Sequence, residues 1–277
     1  MQGLLRFLRI SGPLALLPLA APAGAQPSST PRDEVTSSEQ RDATSVRAAD
    51  QGLLVPFTQS PQVYSGHALV KATAGYDSAL DGFVARTSAD ARVLPFLALR
   101  LDFDHGPSMG PDDRFGVGAH LQLLRQATSG VDAALGLAYQ PDDFREEGHI
   151  VGSILVGRSF GRLQLLGNAL FGGDAEGDDQ AGEARFALVY RVEQKLHLGL
   201  DSRFRSNFSQ DQKRAGTLTT DWELQSTPTF SFGVGPVALL GQAGLSMVQT
   251  TGPFGTQEER TRVRSGVVAM AGAGGAF

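Results

Sequence analysis

The feature that most constrains this chain is a strict two-residue alternation of apolar and polar side chains, repeated in segment after segment from Gly66 onward. In an extended strand successive side chains point to opposite faces, so each such run has two unlike sides. In residues 82–93, Phe83, Ala85, Thr87, Ala89, Ala91 and Val93 fall on one side, and Arg86, Ser88, Asp90 and Arg92 on the other. Residues 97–104 set Leu97, Leu99, Leu101 and Phe103 against Arg100, Asp102 and Asp104. Residues 196–205 repeat the pattern with Leu196, Leu198, Leu200 and Phe204 against His197, Asp201, Arg203 and Arg205. A helix would bring Phe83, Arg86 and Asp90 to one side and mix these sets.

Twelve such segments can be marked, near 66–76, 82–93, 97–104, 114–124, 131–140, 149–159, 162–172, 183–192, 196–205, 220–234, 236–249 and 262–277. Most have the roughly 9–11 residues with which a tilted strand crosses a bilayer. Every second connection is short, as at Leu94-Pro95-Phe96, Phe160-Gly161 and Gly235-Pro236, whereas those between them, after the first, are long and polar. Bacterial barrels have short periplasmic turns and long extracellular loops, which predicts an even strand number and two periplasmic termini. The expected fold is therefore all-β, a transmembrane antiparallel up-and-down β-barrel of twelve strands. Ten is the alternative if the first two segments stand outside the wall. A secreted β-sandwich also alternates, but it gives no reason for alternating loop lengths.

The N-terminus predicts export. Arg6 and Arg9 precede an apolar run around Leu14–Ala20, and Ala23-Gly24-Ala25 offers small residues for cleavage before Gln26. Residues 1–25 are read as a signal peptide, 26–62 as a disordered periplasmic segment and 63–277 as the barrel. Within 26–62 polar and charged residues dominate without apolar periodicity. The short patch Leu53-Leu54-Val55-Pro56-Phe57 either docks at the barrel mouth or simply leads into the first strand. Losing Arg6 and Arg9 shifts the formal net charge from −5 to −7, which argues against a nucleic-acid partner. The chain has no cysteine, so stability must come from burial and from the pairing of every strand edge.

The last segment places Val263, Ser265, Val267, Ala269, Ala271, Ala273, Gly275 and Phe277 on its outward face. Apolar residues at alternate positions ending on a terminal phenylalanine resemble the C-terminal signal of Gram-negative outer-membrane β-barrels. That resemblance implies recognition of Phe277 by the barrel-assembly machinery, and it spans residues 66–277 as an architecture. The YSGHALVKATAGYDSA and LLGQAGLS stretches are similar to outer-membrane proteins of Gram-negative bacteria, a likeness that implies no activity. The closing segment is richer in Gly and Ala than is typical of porins, which predicts close backbone packing at the seam.

The alternation also predicts what lines the lumen. Lys71, Arg86, Arg92, Arg100, Arg185, Arg191, Arg203, Arg205 and Arg264 are expected inside, with Asp90, Asp102, Asp104, Asp132, Asp201 and Glu223. Basic groups outnumber acidic ones in this set. It describes either a small pore for polar, possibly anionic, solutes or a salt-bridged, plugged lumen in a structural or adhesion barrel. Acidic residues, Asp112-Asp113, Asp142-Asp143, Glu146-Glu147, Asp174, Glu176, Asp178, Asp179 and Glu183, are expected on the outer loops, near lipid and lipopolysaccharide. They could gather divalent cations, although no run has the spacing of a defined metal site. No cofactor and no catalytic site is expected. The outward serines Ser202, Ser226 and Ser265 have no histidine at a matching height, and the pair Asp102/Asp104 is ordinary spacing along a polar strand face.

Overall fold

The computed structural model describes residues 55–106, 113–140, 148–173, 180–208, 219–253 and 259–277. The predicted signal peptide, the polar stretch 26–54 and most of the acidic loop residues lie outside them. Twelve antiparallel strands close into one barrel in simple up-and-down order, each hydrogen-bonded to its neighbours in sequence, with the first joined to the last. They are β1 (Ala68–Asp77), β2 (Gly82–Leu94), β3 (Leu97–His105), β4 (Asp113–Leu124), β5 (Asp132–Gln140) and β6 (His149–Phe160), followed by β7 (Leu163–Gly173), β8 (Gln180–Glu193), β9 (Leu196–Asn207), β10 (Thr219–Val234), β11 (Val237–Pro253) and β12 (Glu259–Ala276). A single helical turn, α1 (Gln126–Ser129), sits in the connection from β4 to β5. The twelve-strand reading holds, and the first two segments belong to the wall.

The seam is formed by β1 and β12, in register from Leu69 opposite Ala276 to Asp77 opposite Val268. Phe277 caps it: its carbonyl accepts from the amides of His67 and Ala68, and its amide donates to the Ala68 carbonyl. The expected close packing is present here. A Cβ on Gly272 would overlap the backbone carbonyl of Ala72, so glycine is required at this contact.

The wall carries its apolar side chains outward. Phe83, Leu99, Leu101, Leu137, Ile154, Phe171, Leu198 and Phe230 are all exposed, an arrangement stable only where the surrounding medium is itself apolar. Inward positions reverse the chemistry: Lys71, Asp90, Asp132, Asp201, Arg203 and Glu223 are all buried.

The reading of residues 26–62 as disordered needs correction at its C-terminal end. Residues 55–65 lie within the barrel, running inward from the short-turn end at Tyr64 to the middle of the lumen at Phe57, and take part in its packing. Val55 packs with Leu166, Ala187 and Val189; Phe57 packs with Val84, Val268 and Met270. Tyr64 joins Leu69, Ala238, Leu240 and Ala276. Order therefore begins at least eight residues before the expected boundary at Val63, because the inward apolar residues of six different strands offer this segment a place to bury its own.

Candidate functional site

The lumen is occupied by the chain itself. Asp201 on β9 reaches in at mid-barrel and accepts from the amide of Phe57 at 2.5 Å and from the hydroxyl of Thr58 at 2.6 Å. Neither Asp201 nor Thr58 has any exposed surface. Asn168 on β7 pairs with Gln59 in both directions, its Oδ1 accepting from the Gln59 amide at 2.7 Å and its Nδ2 donating to the Gln59 carbonyl at 2.9 Å. Asp132 accepts from Gln62 Nε2 at 2.8 Å. The wall thus supplies to this segment the hydrogen bonds that a neighbouring strand would otherwise supply.

Cations complete the hold. Lys71 donates to the Val55 carbonyl at 2.5 Å, Arg185 Nη1 to the Phe57 carbonyl at 2.9 Å and Arg92 to the Ser65 carbonyl at 2.6 Å. Arg86 lies over the Phe57 ring, 4.3 Å from its centroid. Four of the residues expected to line a basic pore are therefore bound to a peptide segment.

The remaining charges neutralise one another. Glu183 on β8 stands among three arginines, 2.5 Å from Arg185, 2.6 Å from Arg203 and 3.7 Å from Arg205. Arg100 pairs with Asp102 at 2.6 Å and with Asp90 at 3.4 Å, and Arg86 lies 3.9 Å from Asp104. Glu223, almost wholly buried, sits opposite Arg205 in the pairing of β9 with β10. Arg191 lies near the short-turn end, opposite His197, and Arg264 is exposed towards the long-loop end of β12.

Two acidic residues alter the expected charge balance. Glu183 was assigned to an outer loop, but β8 begins at Gln180 and turns Glu183 inward. Asp77 ends β1 with no exposed surface. One carboxylate oxygen accepts from Gln225 at 2.8 Å and Ser246 at 2.7 Å; the other accepts from the amide of Ala79 in the β1–β2 turn at 2.9 Å. With these two counted inside, acids nearly balance bases, and the expected excess of positive charge disappears. The signal for Asp77 was its place in the alternation after Lys71, Thr73 and Gly75. For Glu183 it was the phase it shares with Arg185.

The segment does not fill the lumen. Towards the long-loop ends of β2 to β8 a vestibule of about 90 Å³ remains, with Pro56, Phe57 and Gln59 in its lining. Among the described residues no group of three or more metal-ligating side chains is present.

No family model matches the chain, and no curated protein does. Solved structures do. The NanC porin superposes with a TM-score of 0.53 at 9% identity, over 75% of this chain and 99% of that one. The outer membrane channel DcaP of Acinetobacter baumannii gives a TM-score of 0.39 at 11% identity, over 78% of this chain and 72% of its own. Omp33 of the same organism gives 0.42 at 10% identity, over 76% and 98%. The likeness to NanC is one of fold: this chain has the architecture of a Gram-negative outer-membrane β-barrel.

Proposed function

We propose that the chain is an outer-membrane channel for small polar solutes, held closed by its own segment Val55–Ser65. The observation that carries this reading is the seating of Phe57 and Thr58 on Asp201 inside an otherwise continuous barrel. A permanent filler could have been made from apolar side chains of the wall. This one is a separate stretch of chain, joined to the wall by hydrogen bonds and cations as well as by the apolar packing of Val55, Phe57 and Tyr64, and it enters from the end at which β1 begins. Charge balance in the lumen supports polar solutes in general and gives little support to strong anion preference.

The short turns face the periplasm in this reading, with both termini, and the acidic loops face outward, where divalent cations could bridge them to lipopolysaccharide. Phe277 and the strand behind it serve the barrel-assembly machinery. No catalytic role is proposed for any residue. A second reading, a structural barrel with a permanently filled lumen, is favoured by the buried Glu183 cluster, since charges so fully paired need not serve passage.

Planar-bilayer recording separates the two. The intact barrel is expected to be silent or to open rarely, and a variant lacking residues 26–65 to conduct in steady steps. A truncated barrel that folds, as shown by heat-modifiable gel migration, yet stays silent would favour the structural reading.

A further inference from the structure

The vestibule has the composition of a binding site. Lys71, Arg86, Arg100 and Arg185 line it, against Asp102 and Asp104. Glu183, the partner of Arg185, and Asp90, the more distant of the two partners of Arg100, do not line it. The space itself therefore meets more positive than negative groups, although the lumen as a whole is balanced. Ser88 and His120 also line it and are only 6% and 7% exposed, yet among the described residues Ser88 Oγ and His120 Nε2 have no hydrogen-bond partner. Buried polar atoms are nearly always paired, so two orphans in one wall point to a molecule that pairs with them.

The floor of the vestibule is Phe57, and the cations that face the space also hold that residue. Arg185 Nη1 donates to the Phe57 carbonyl at 2.9 Å, and Arg86 covers the Phe57 ring. A carboxylate offers a guanidinium an opposite charge and two parallel acceptors, which a single neutral carbonyl does not. An anion in the vestibule would therefore compete with Phe57 for both arginines. Asp102 and Asp104, with side chains 32% and 38% exposed, offer acceptors for hydroxyl groups on the same molecule.

We propose that the vestibule binds a small hydroxylated carboxylate, and that this ligand loosens Val55–Ser65 by drawing Arg185 and Arg86 away from Phe57. The proposal rests on the reading of that segment as a removable closure and names what removes it. Selectivity then lies in the opening step and not in a charged filter along the pore.

The test uses glycerate and its uncharged counterpart glycerol on the full-length barrel in detergent. The native chain has no cysteine, so a Ser60→Cys substitution gives a single thiol at a position that is 5% exposed. Calorimetry should show saturable binding of glycerate and none of glycerol, and saturating glycerate should speed maleimide labelling of that thiol about tenfold. Arg185→Lys, which keeps the charge but loses the planar fork, should fold, bind glycerate more weakly and lose most of the acceleration. Equal binding of the two solutes, or glycerate binding that leaves labelling unchanged, overturns the proposal. Conductance of the barrel lacking residues 26–65 is an independent readout: its silence would defeat the channel reading, whereas binding and labelling decide this one.

Discussion

Strand β9 and the segment Val55–Ser65 meet at Asp201, yet the two are specified in different ways. In β9 every second residue is set by the medium it faces, so Leu198, Leu200 and Phe204 are exposed on the outside while Asp201 and Arg203 are buried on the inside. A slip of one residue would exchange all of them, which makes the register strongly determined. Val55–Ser65 has no such rule. It is positioned by individual bonds from Asp201, Asn168, Asp132, Lys71, Arg185 and Arg92, each of which can be lost without disturbing the others. The wall should therefore fail as a whole, and the segment should loosen piece by piece.

The largest effect is expected inside the wall. Glu183→Gln leaves Arg185, Arg203 and Arg205 together without their shared counter-charge. Removing one partner of a buried cluster costs about 3–5 kcal/mol, to be read as a lower urea midpoint for unfolding from liposomes. Next comes the outer face: Leu137 is 63% exposed in β5, and Leu137→Arg should cost about 2–4 kcal/mol if it sits near the bilayer midplane. A Leu137→Arg barrel as stable as the parent would deny that this face meets lipid.

Loosening the segment should be gentler and local. Asp201→Asn weakens the acceptors for Phe57 and Thr58, and hydrogen bonds to a charged group contribute about 1.5–3 kcal/mol each. Faster hydrogen exchange at the Phe57 amide is expected, with the strand amides of β6 and β7 unchanged. If the whole barrel exchanged faster, segment and wall would be one cooperative unit. The smallest effect is at the surface, where Arg158 lies over Phe160 at 4.7 Å; Arg158→Ala should lower the unfolding free energy by about 0.5–1 kcal/mol, read as a slightly lower urea midpoint.

The same contrast explains what could be read in the sequence. The alternation placed all twelve strands to within a few residues, and it turned Lys71, Arg86, Arg100, Arg185, Asp201, Arg203 and Arg205 inward, as the structure does. It placed Arg264 inside as well, but β12 outlasts the packed lumen, and Arg264 stands exposed at its end. Glu183 was hidden because the acidic run before it made the start of β8 resemble loop. The occupied lumen was hidden for a deeper reason. A segment bound through its backbone needs no pattern of its own, and only Val55-Pro56-Phe57 hinted that it had something to bury. Likewise, the alternation could show that Lys71 and Arg185 face inward, but not that they face a peptide carbonyl.

The central claim is that Val55–Ser65 closes the lumen and can leave it. With no native cysteine in the chain, a Gln59→Cys/Asn168→Cys pair places two thiols where the side chain of one residue now meets the backbone of the other. Conductance of this variant in a planar bilayer, recorded oxidised and then after reduction on the same membrane, tests the claim directly. The account predicts no openings while the disulfide holds the segment and discrete openings once it is reduced. Openings of the same size and frequency in both states would contradict it.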